Sequence, residues 1–395
     1  MREMDFTEGN VSNRWMGVKS IWREMHFEIK RYIKRYLESS LRMDLDWRLG
    51  CNRYERSESR KGYRNGSYVR DFLTSYGWIE GLEVPRARDI TYQPRLLERY
   101  KRRQRCVDKV LLEAFLLGHS TRQTRRMFSS LFEGEISAQT ISNIVRELDR
   151  SVQEFRCRRF DSSRYTCVYL DGLWITLSKP VKTKKVVLVA LGLHPDGTKD
   201  LLSFQLASSE SESWWWGFVS DLKDRGLKGD QIDVIVTDGC AGLIKAVTAL
   251  YPRVRRQLCT FHKANDLGAH LRDRRHRNQI IRHALAVFEA ANQTEVRKML
   301  RTFIERWKPS EPRAVRNFIA GFDYCLTFLD FPVTIRSSIK TNNPIERYLQ
   351  EIRRRIIPMR SFNNVKSAER IIYGIIAVTL RQYCDMPIQQ STQYA

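Results

Sequence analysis

Three acidic residues stand where burial alone would not put them. Asp171 lies inside the apolar run CVYLDGLWITL, Asp238 directly follows the apolar run DVIVT, and Glu346 opens the basic amphipathic stretch TNNPIERYLQEIRRRI. A lone carboxylate in an apolar strand is costly unless it is paired, neutralised or metal-bound. Each acid also has an ordinary local explanation. Asp171 could close an Asp-Gly turn, although LWITL continues the strand pattern past the glycine. Asp238 precedes a helix, and Asp is a preferred N-cap. Asn343 as N-cap, Pro344 at N1 and Glu346 at N3 come close to a capping box. Taken together, two aspartates within or after core strands and a glutamate at a helix start can converge at one end of a mixed sheet. Three carboxylates suit Mg²⁺, a hard cation that takes oxygen ligands. Two such ions about 4 Å apart can clamp the attacking and leaving oxygens of a phosphodiester.

The charge balance supplies a matching substrate. Lys and Arg number 69 against 45 Asp and Glu, a formal net charge of +24. Such an excess attracts polyanions. The basic residues cluster as RYKRRQR at 99–105, LRDRRHR at 271–277 and RRR at 353–355. Arginine dominates these clusters, and its planar fork suits phosphate. Arg353 falls seven residues after Glu346 on the same helix face, flanked by Arg347 and Arg354. Nucleic acid is the expected partner, ahead of a membrane surface.

Other constellations carry less. Cys259 and His262 form a C-x-x-H pair with no second pair at zinc-finger distance, which points to packing or support near a strand rather than zinc. No GxxxxGK[ST], GxSxG or HExxH motif occurs. The eight cysteines include no CxxC pair and read as reduced core thiols. Trp214, Trp215 and Trp216 are consecutive, so one should pack while another is exposed. The N-terminal MREMDFTEGN has no hydrophobic signal core, and the longest apolar run, IIYGIIAVTL, is too short to span a bilayer. A soluble, cytoplasmic protein is expected.

The elements that must position these residues can be read from periodicity. Trp15, Val18, Ile21, Trp22, Met25, Ile29, Ile33 and Leu37 mark a helical N-terminal segment. Residues 52–89 read as a small β element, with Asn65-Gly66 as a tight turn. Residues 99–150 return to helices, with Gly118 ending the first and Ser120 and Ser137 capping the next two. Gln139, Thr140 and Asn143 lie on the last of these, which continues through AQTISNIVRELDRSVQEF. The arrangement suits a helix-turn-helix, or equally a plain helical linker.

Residues 163–262 alternate differently. TCVYLDGLWITL, a turn at SKPVKTK, KKVVLVALGLH and DLLSFQLAS read as three strands of an antiparallel meander. A helix through the tryptophans, the strand QIDVIVTDG, a helix, and the strand RRQLCTF follow. The order β-β-β-α-β-α-β is that of a ribonuclease H-like mixed sheet. Residues 262–335 read as helix throughout, and two helices at 343–357 and 364–383, separated at Pro358, close the chain. The expected domains are a helical segment at 1–50, a β-containing element at 51–98, a helix-turn-helix region at 99–160, and a catalytic core at 161–262 and 339–395 around a helical insertion at 263–338.

Several of these stretches, in this order, resemble the Mutator-type family of bacterial insertion-sequence transposases. RKGYRNGSY with GWIEGLEVPRARD, LLGHSTRQTRRMF with ISAQTISNIV, YLDGLW, VTDGCAGL, LCTFHKANDL and TNNPIERYLQEIRRR carry the resemblance. It implies a DDE transposase with a ribonuclease H-like core. It also implies Asp171, Asp238 and Glu346 as the catalytic, metal-binding triad, Arg353 as a basic companion, and Cys259 and His262 in support. The implied cofactor is Mg²⁺, two ions, with Mn²⁺ as substitute. The implied partners are double-stranded DNA, as terminal inverted repeats and target, and a second copy of the chain or more. The 108 positions between Asp238 and Glu346 leave room for an insertion. A DNA-binding regulator that never cuts, and a nuclease that cuts without joining, remain the alternatives.

Overall fold

The computed structural model describes residues 9–379 except 100, 133, 134, 179, 180 and 360, and leaves aside the side chains of 9–20, 130, 131 and 379. Part of the SKPVKTK turn, the end of the last expected helix, Cys384 and most of MREMDFTEGN therefore lie outside the described residues, as do the side chains of Trp15 and Val18. The chain divides into two compact units, Met1–Phe115 with His119–Val145, and Leu116–Gly118 with Arg146–Ala395.

In the first unit a long helix, α1 (Gly9–Leu49), meets an antiparallel hairpin, β1 (Tyr63–Thr74) and β2 (Gly77–Arg88). Among the described side chains of α1 the fully buried ones, Leu41, Leu45 and Leu49, lie in its C-terminal part; Leu41 packs with Phe72, Ile79, Leu82 and Val84. Ile21, Trp22, Met25 and Ile29, part of the same periodic stripe, are exposed. The hairpin turn is not at Asn65-Gly66. Thr74 pairs with Gly77 across Ser75-Tyr76, and Gly77 takes the positive φ that the close needs. Asn65 and Gly66 sit inside β1, where the register shifts between Arg64 and Ser67, so the glycine serves a bulge.

Three helices follow: α2 (Arg105–Leu116), α3 (Thr121–Phe132) and α4 (Ala138–Arg146). The expected caps are present. Ser120 Oγ accepts the Gln123 amide while Gln123 Oε1 accepts the Ser120 amide, a reciprocal box. Ser137 Oγ accepts the Thr140 amide at 3.0 Å. The helix expected to run unbroken through AQTISNIVRELDRSVQEF is interrupted at Glu147, and α5 (Leu148–Arg156) starts afresh.

The second unit is built on a five-stranded mixed sheet, consistent with the ribonuclease H-like expectation. Its strands are β3 (Tyr165–Leu177), β4 (Thr183–Leu193), β5 (Lys199–Ala207), β6 (Ile232–Thr237) and β7 (Arg255–Leu258), in the order β5-β4-β3-β6-β7. β3–β4–β5 is the antiparallel meander, and β6 and β7 add in parallel. Two helices, α6 (Glu212–Asp224) and α7 (Ala241–Leu250), share a core with one sheet face. Even-numbered β3 residues Val168 and Leu170 point to that core; by strand alternation Tyr169 and Asp171 face the other side. Of the three tryptophans, Trp215 is 1% exposed in the core, Trp214 is partly buried against it and Trp216 is 44% exposed, as helical geometry requires.

After β7 the chain is helical: α8 (Thr260–Asp266), α9 (Arg277–Val287), α10 (Gln293–Trp307), α11 (Pro312–Ile319), α12 (Val333–Ile339), α13 (Asn343–Ile356) and α14 (Val365–Thr379), with short 3₁₀ turns between some of them. The break between α13 and α14 falls at 357–359, around Pro358. The cysteine expectation holds for Cys51, Cys167, Cys259 and Cys325, which are buried, but Cys106 and Cys157 are exposed thiols. No described helix is long and apolar enough to cross a membrane.

Candidate active site

The two aspartates meet through strand register. β3 and β6 run parallel, and their last matched pair is Leu170 with Thr237. The next residues are Asp171 and Asp238, side by side at one end of β6. Neighbouring strands lie about 4.8 Å apart, so the two carboxylates share one locality. Asp171 sits mid-strand because β3 continues past it, pairing with β4 at Val189. Its Oδ1 accepts the Gly172 amide at 2.7 Å. Asp238 is not the helix cap that its position suggests. Cys240 is the N-cap of α7, and Asp238 Oδ1 accepts the Cys240 amide at 3.0 Å in a tight side-chain turn.

Glu346 arrives by tertiary contacts. The Cys259 amide donates to Thr237 O at 2.9 Å, prolonging the β6–β7 pairing by a residue. The Thr260 amide then donates to Lys340 O at 3.1 Å, and the Asn342 amide donates to Cys259 Sγ at 3.3 Å. These bonds pin the start of α13 to the end of β7. The expected capping box is absent. The N-cap is Asn342, one residue earlier than the sequence suggests, and its side chain makes no capping bond. Pro344 therefore moves to N2 and Glu346 to N4, beyond the reach of a capping partner. Freed from that task, Glu346 Oε1 is buried with no hydrogen-bond partner, 3.6 Å from His262 Nε2.

Burial pushes the Asp171 carboxyl up to about 7; Asp238 and Glu346 push the same way, against the Gly172 amide and His262. His262 is pushed up to about 9 by the neighbouring Cys259 and by Glu346 and Asp171, with burial opposing. The raised Asp171 carboxyl and the Glu346 oxygen without a hydrogen bond would both be eased by added positive charge, which His262 supplies in part and a hard cation could complete. Carboxylate oxygens are the ligand type such an ion takes, but neither Asp171 nor Asp238 belongs to the close donor set that holds Glu346. Among the described residues the tightest set of donor atoms is Cys259, His262 and Glu346, all within 4.8 Å of one another. The Cys259 sulfur is already committed to the Asn342 amide, which leaves His262 beside Glu346 as the closer neighbour of the acids.

Two residues escaped the sequence reading. Asn342 is completely buried, and its position at the hinge of the site comes from contacts 83 residues apart. Glu210 lies against Gly172, where any Cβ would overlap its carboxylate. Burial and Asp238 push its carboxyl up. The glycine after Asp171 hints at a close approach, but nothing in SSESES marks Glu210 as the group that approaches.

The expected DNA contacts are distributed unevenly. Arg347 and Arg353 are exposed, and Arg353 has no acidic partner among the described residues. Arg354 is exposed too but pairs with Glu351 at 2.8 Å. In the first unit, Gln139 and Asn143 are exposed on α4 and bonded to each other at 2.8 Å, with Thr140 partly buried between them.

Fold and site together define a mixed α/β protein with an acid cluster at the end of a five-stranded sheet and a surplus of arginine. The sequence model described as transposase, Mutator family, matches residues 19–385. The chain belongs to that family. It is 30% identical over 377 residues to the transposase for insertion sequence element ISRM5 of Rhizobium meliloti, covering 95% of this chain and 93% of the relative. It is 30% identical to the transposase for insertion sequence element IS905 of Lactococcus lactis, covering 87% and 88%. Against the transposase for insertion sequence element IS256 in transposon Tn4001 of Staphylococcus aureus the identity is 29%, covering 82% of each chain. This chain is thus a transposase of the insertion-sequence type, homologous to them over most of its length.

Proposed function

We propose that this transposase binds the terminal inverted repeats of the element that encodes it, cuts a DNA strand there to a 3′-OH, and joins that end to target DNA. Asp171, Asp238 and Glu346 are the catalytic carboxylates in this reading. One observation carries it above the rest: two aspartates stand side by side on paired strands, and the Glu346 oxygen is buried nearby with no hydrogen bond, 3.6 Å from His262. The family's metal dependence gives that oxygen a role. The three carboxylates would hold two Mg²⁺, or Mn²⁺ in its place. Bound there, the ions would stabilise negative charge on the phosphodiester oxygens.

The chain's own groups do the positioning. The Cys259–Asn342 bond sets the direction of α13 and so of Glu346. Arg353 and Arg347 hold backbone phosphates beside the acids, with Arg354 adding to the field from its pair with Glu351. Residues 161–262 and 339–395 form a ribonuclease H-like core around the helical insertion at 263–338. Residues 1–50, 51–98 and 99–160 engage DNA, with Gln139, Thr140 and Asn143 of α4 reading base edges at the element's end. Joining two ends calls for a homodimer or larger assembly on DNA, in the cytoplasm at the nucleoid.

A strand-transfer assay on a labelled element end with Mg²⁺ tests the reading. Joined product supports it. Cut product without joining would favour a nuclease, and binding with neither product a regulator.

A further inference from the structure

We propose that the cavity beside Asp238 receives a nucleotide of the cut strand, turned out of the duplex next to the scissile phosphate. This rests on the function proposed above and adds a binding pocket to the same site. The cavity has a volume of about 1100 Å³ and is bounded by residues from Asp238 to Tyr324. That is at the upper end of what small ligands fill and far too small for a duplex. An unpaired nucleotide fits.

The walls carry both signs of charge. Asp238 and His262, members of the acid cluster, stand among them. Arg274 and Arg277 line the same cavity, both exposed, and neither has an acidic partner among the described residues. Of the acids nearby, Asp273 pairs with Arg275 and Glu311 with the Arg272 amide and His276, while Asp266 lines the cavity 3.7 Å from His270. Two unclaimed guanidinium groups in a cavity that opens beside the catalytic acids suit a phosphate next to the one being cut.

The remaining features suit a base. Asn317 lines the cavity with its Oδ1 buried and unpartnered, while its Nδ2 is bonded to His270 at 3.1 Å. Tyr324 lines the same cavity and is half-exposed. Arg256 lies over its ring, 4.6 Å from the centroid, and bonds its hydroxyl at 3.1 Å. One face is thus braced by a cation and the ring is held as a platform. Base-on-ring stacking tolerates any sequence, as a flanking nucleotide requires. Extruding a base is also easiest where the strand is already being opened.

The test uses full-length protein and an element-end duplex carrying 5-iodouracil at single positions flanking the cut, irradiated with Ca²⁺ in place of Mg²⁺. One flanking position should crosslink to the peptide bearing Tyr324. Arg274→Gln with Arg277→Gln should lower that yield about tenfold, and Tyr324→Phe should keep it, with melting curves matching wild type. Crosslinks from every flanking position falling elsewhere, while wild type cuts the same duplex in Mg²⁺, overturn the pocket and leave the proposed function standing. Failure of wild type to cut overturns the function itself. Unchanged yield in the double arginine variant also overturns the pocket.

Discussion

The backbone amide of Asn342 donates a hydrogen bond to the sulfur of Cys259 at 3.3 Å, joining residues 83 positions apart. Everything helical between β7 and α13 is thereby bridged at its base. The bond aims the first turn of α13 at the strand ends that carry Asp171 and Asp238. Cys259→Ala would leave a buried amide unpartnered, at a cost of about 1–3 kcal/mol. We expect a lower melting temperature and weaker end cleavage, with Cys259→Ser restoring part of both. Equal melting of Cys259→Ala and wild type would remove this role.

Glu346 behaves differently. Its Oε1 has no hydrogen bond to lose, and it lies between like charge on Asp171 and the His262 ring 3.6 Å away. Glu346→Gln trades the His262 ion pair against relief from Asp171, so thermal stability should change by less than about 1 kcal/mol while end cleavage is abolished. Added Mg²⁺ should raise the melting temperature of wild type and not that of the variant. A variant that still gains stability from Mg²⁺ would place the ion elsewhere.

Glu311 anchors the helical insertion. It is 1% exposed and accepts the amides of Arg272 at 2.6 Å and Asp273 at 3.0 Å, with His276 Nδ1 at 2.9 Å. Burial alone would push its carboxyl up, but the Arg272 amide, His276 and the Asp273 amide outweigh it and hold it low. A depressed folded value means that this stabilisation is present above the ordinary carboxylate range near about 4.3 and drains as pH falls through the folded value. Denaturant titrations of Glu311→Gln and wild type should differ by about 3 kcal/mol at neutral pH and converge in acid.

The tryptophan run separates core from surface. Trp215→Ala should cost about 3–5 kcal/mol, since the ring packs edge-on against Phe218 in the sheet core. Trp216→Ala should stay within about 0.5 kcal/mol. Urea unfolding of the two variants checks the assignment.

Arg353, exposed and without an acidic partner among the described residues, should act as a phosphate contact. Arg353→Ala should weaken end binding alike for specific and random duplexes and reduce the slope of log affinity against log salt by about 1. A loss confined to the specific sequence would mean base reading instead.

Much of this arrangement is legible in the sequence, and the failures have physical causes. All five strands of the sheet announce themselves by apolar runs bounded by turns, and the β3–β6 register then follows from parallel pairing. The caps Ser120 and Ser137 are local chemistry and appear as expected. Asn65-Gly66 misleads because a glycine at positive φ serves a bulge as well as a turn. The start of α13 slips by one residue because Asn342 and Asn343 are equally good caps on paper, and the choice is made by Cys259 from across the fold. The apolar stripe of α1 reads as core, yet only its C-terminal part meets the hairpin. Asn342, Glu210 and the cavity residues leave no local signature, since contacts distant in sequence create their roles.

The central claim is that Asp171, Asp238 and Glu346 act together on a phosphodiester. The most direct measurement is Mg²⁺-dependent formation of a 3′-OH at a labelled element end by wild type and by Asp171→Ala, alongside end binding at the same salt. The account predicts cleavage by wild type, none by the variant, and end binding that is largely preserved. Cleavage by Asp171→Ala at the wild-type rate would contradict it.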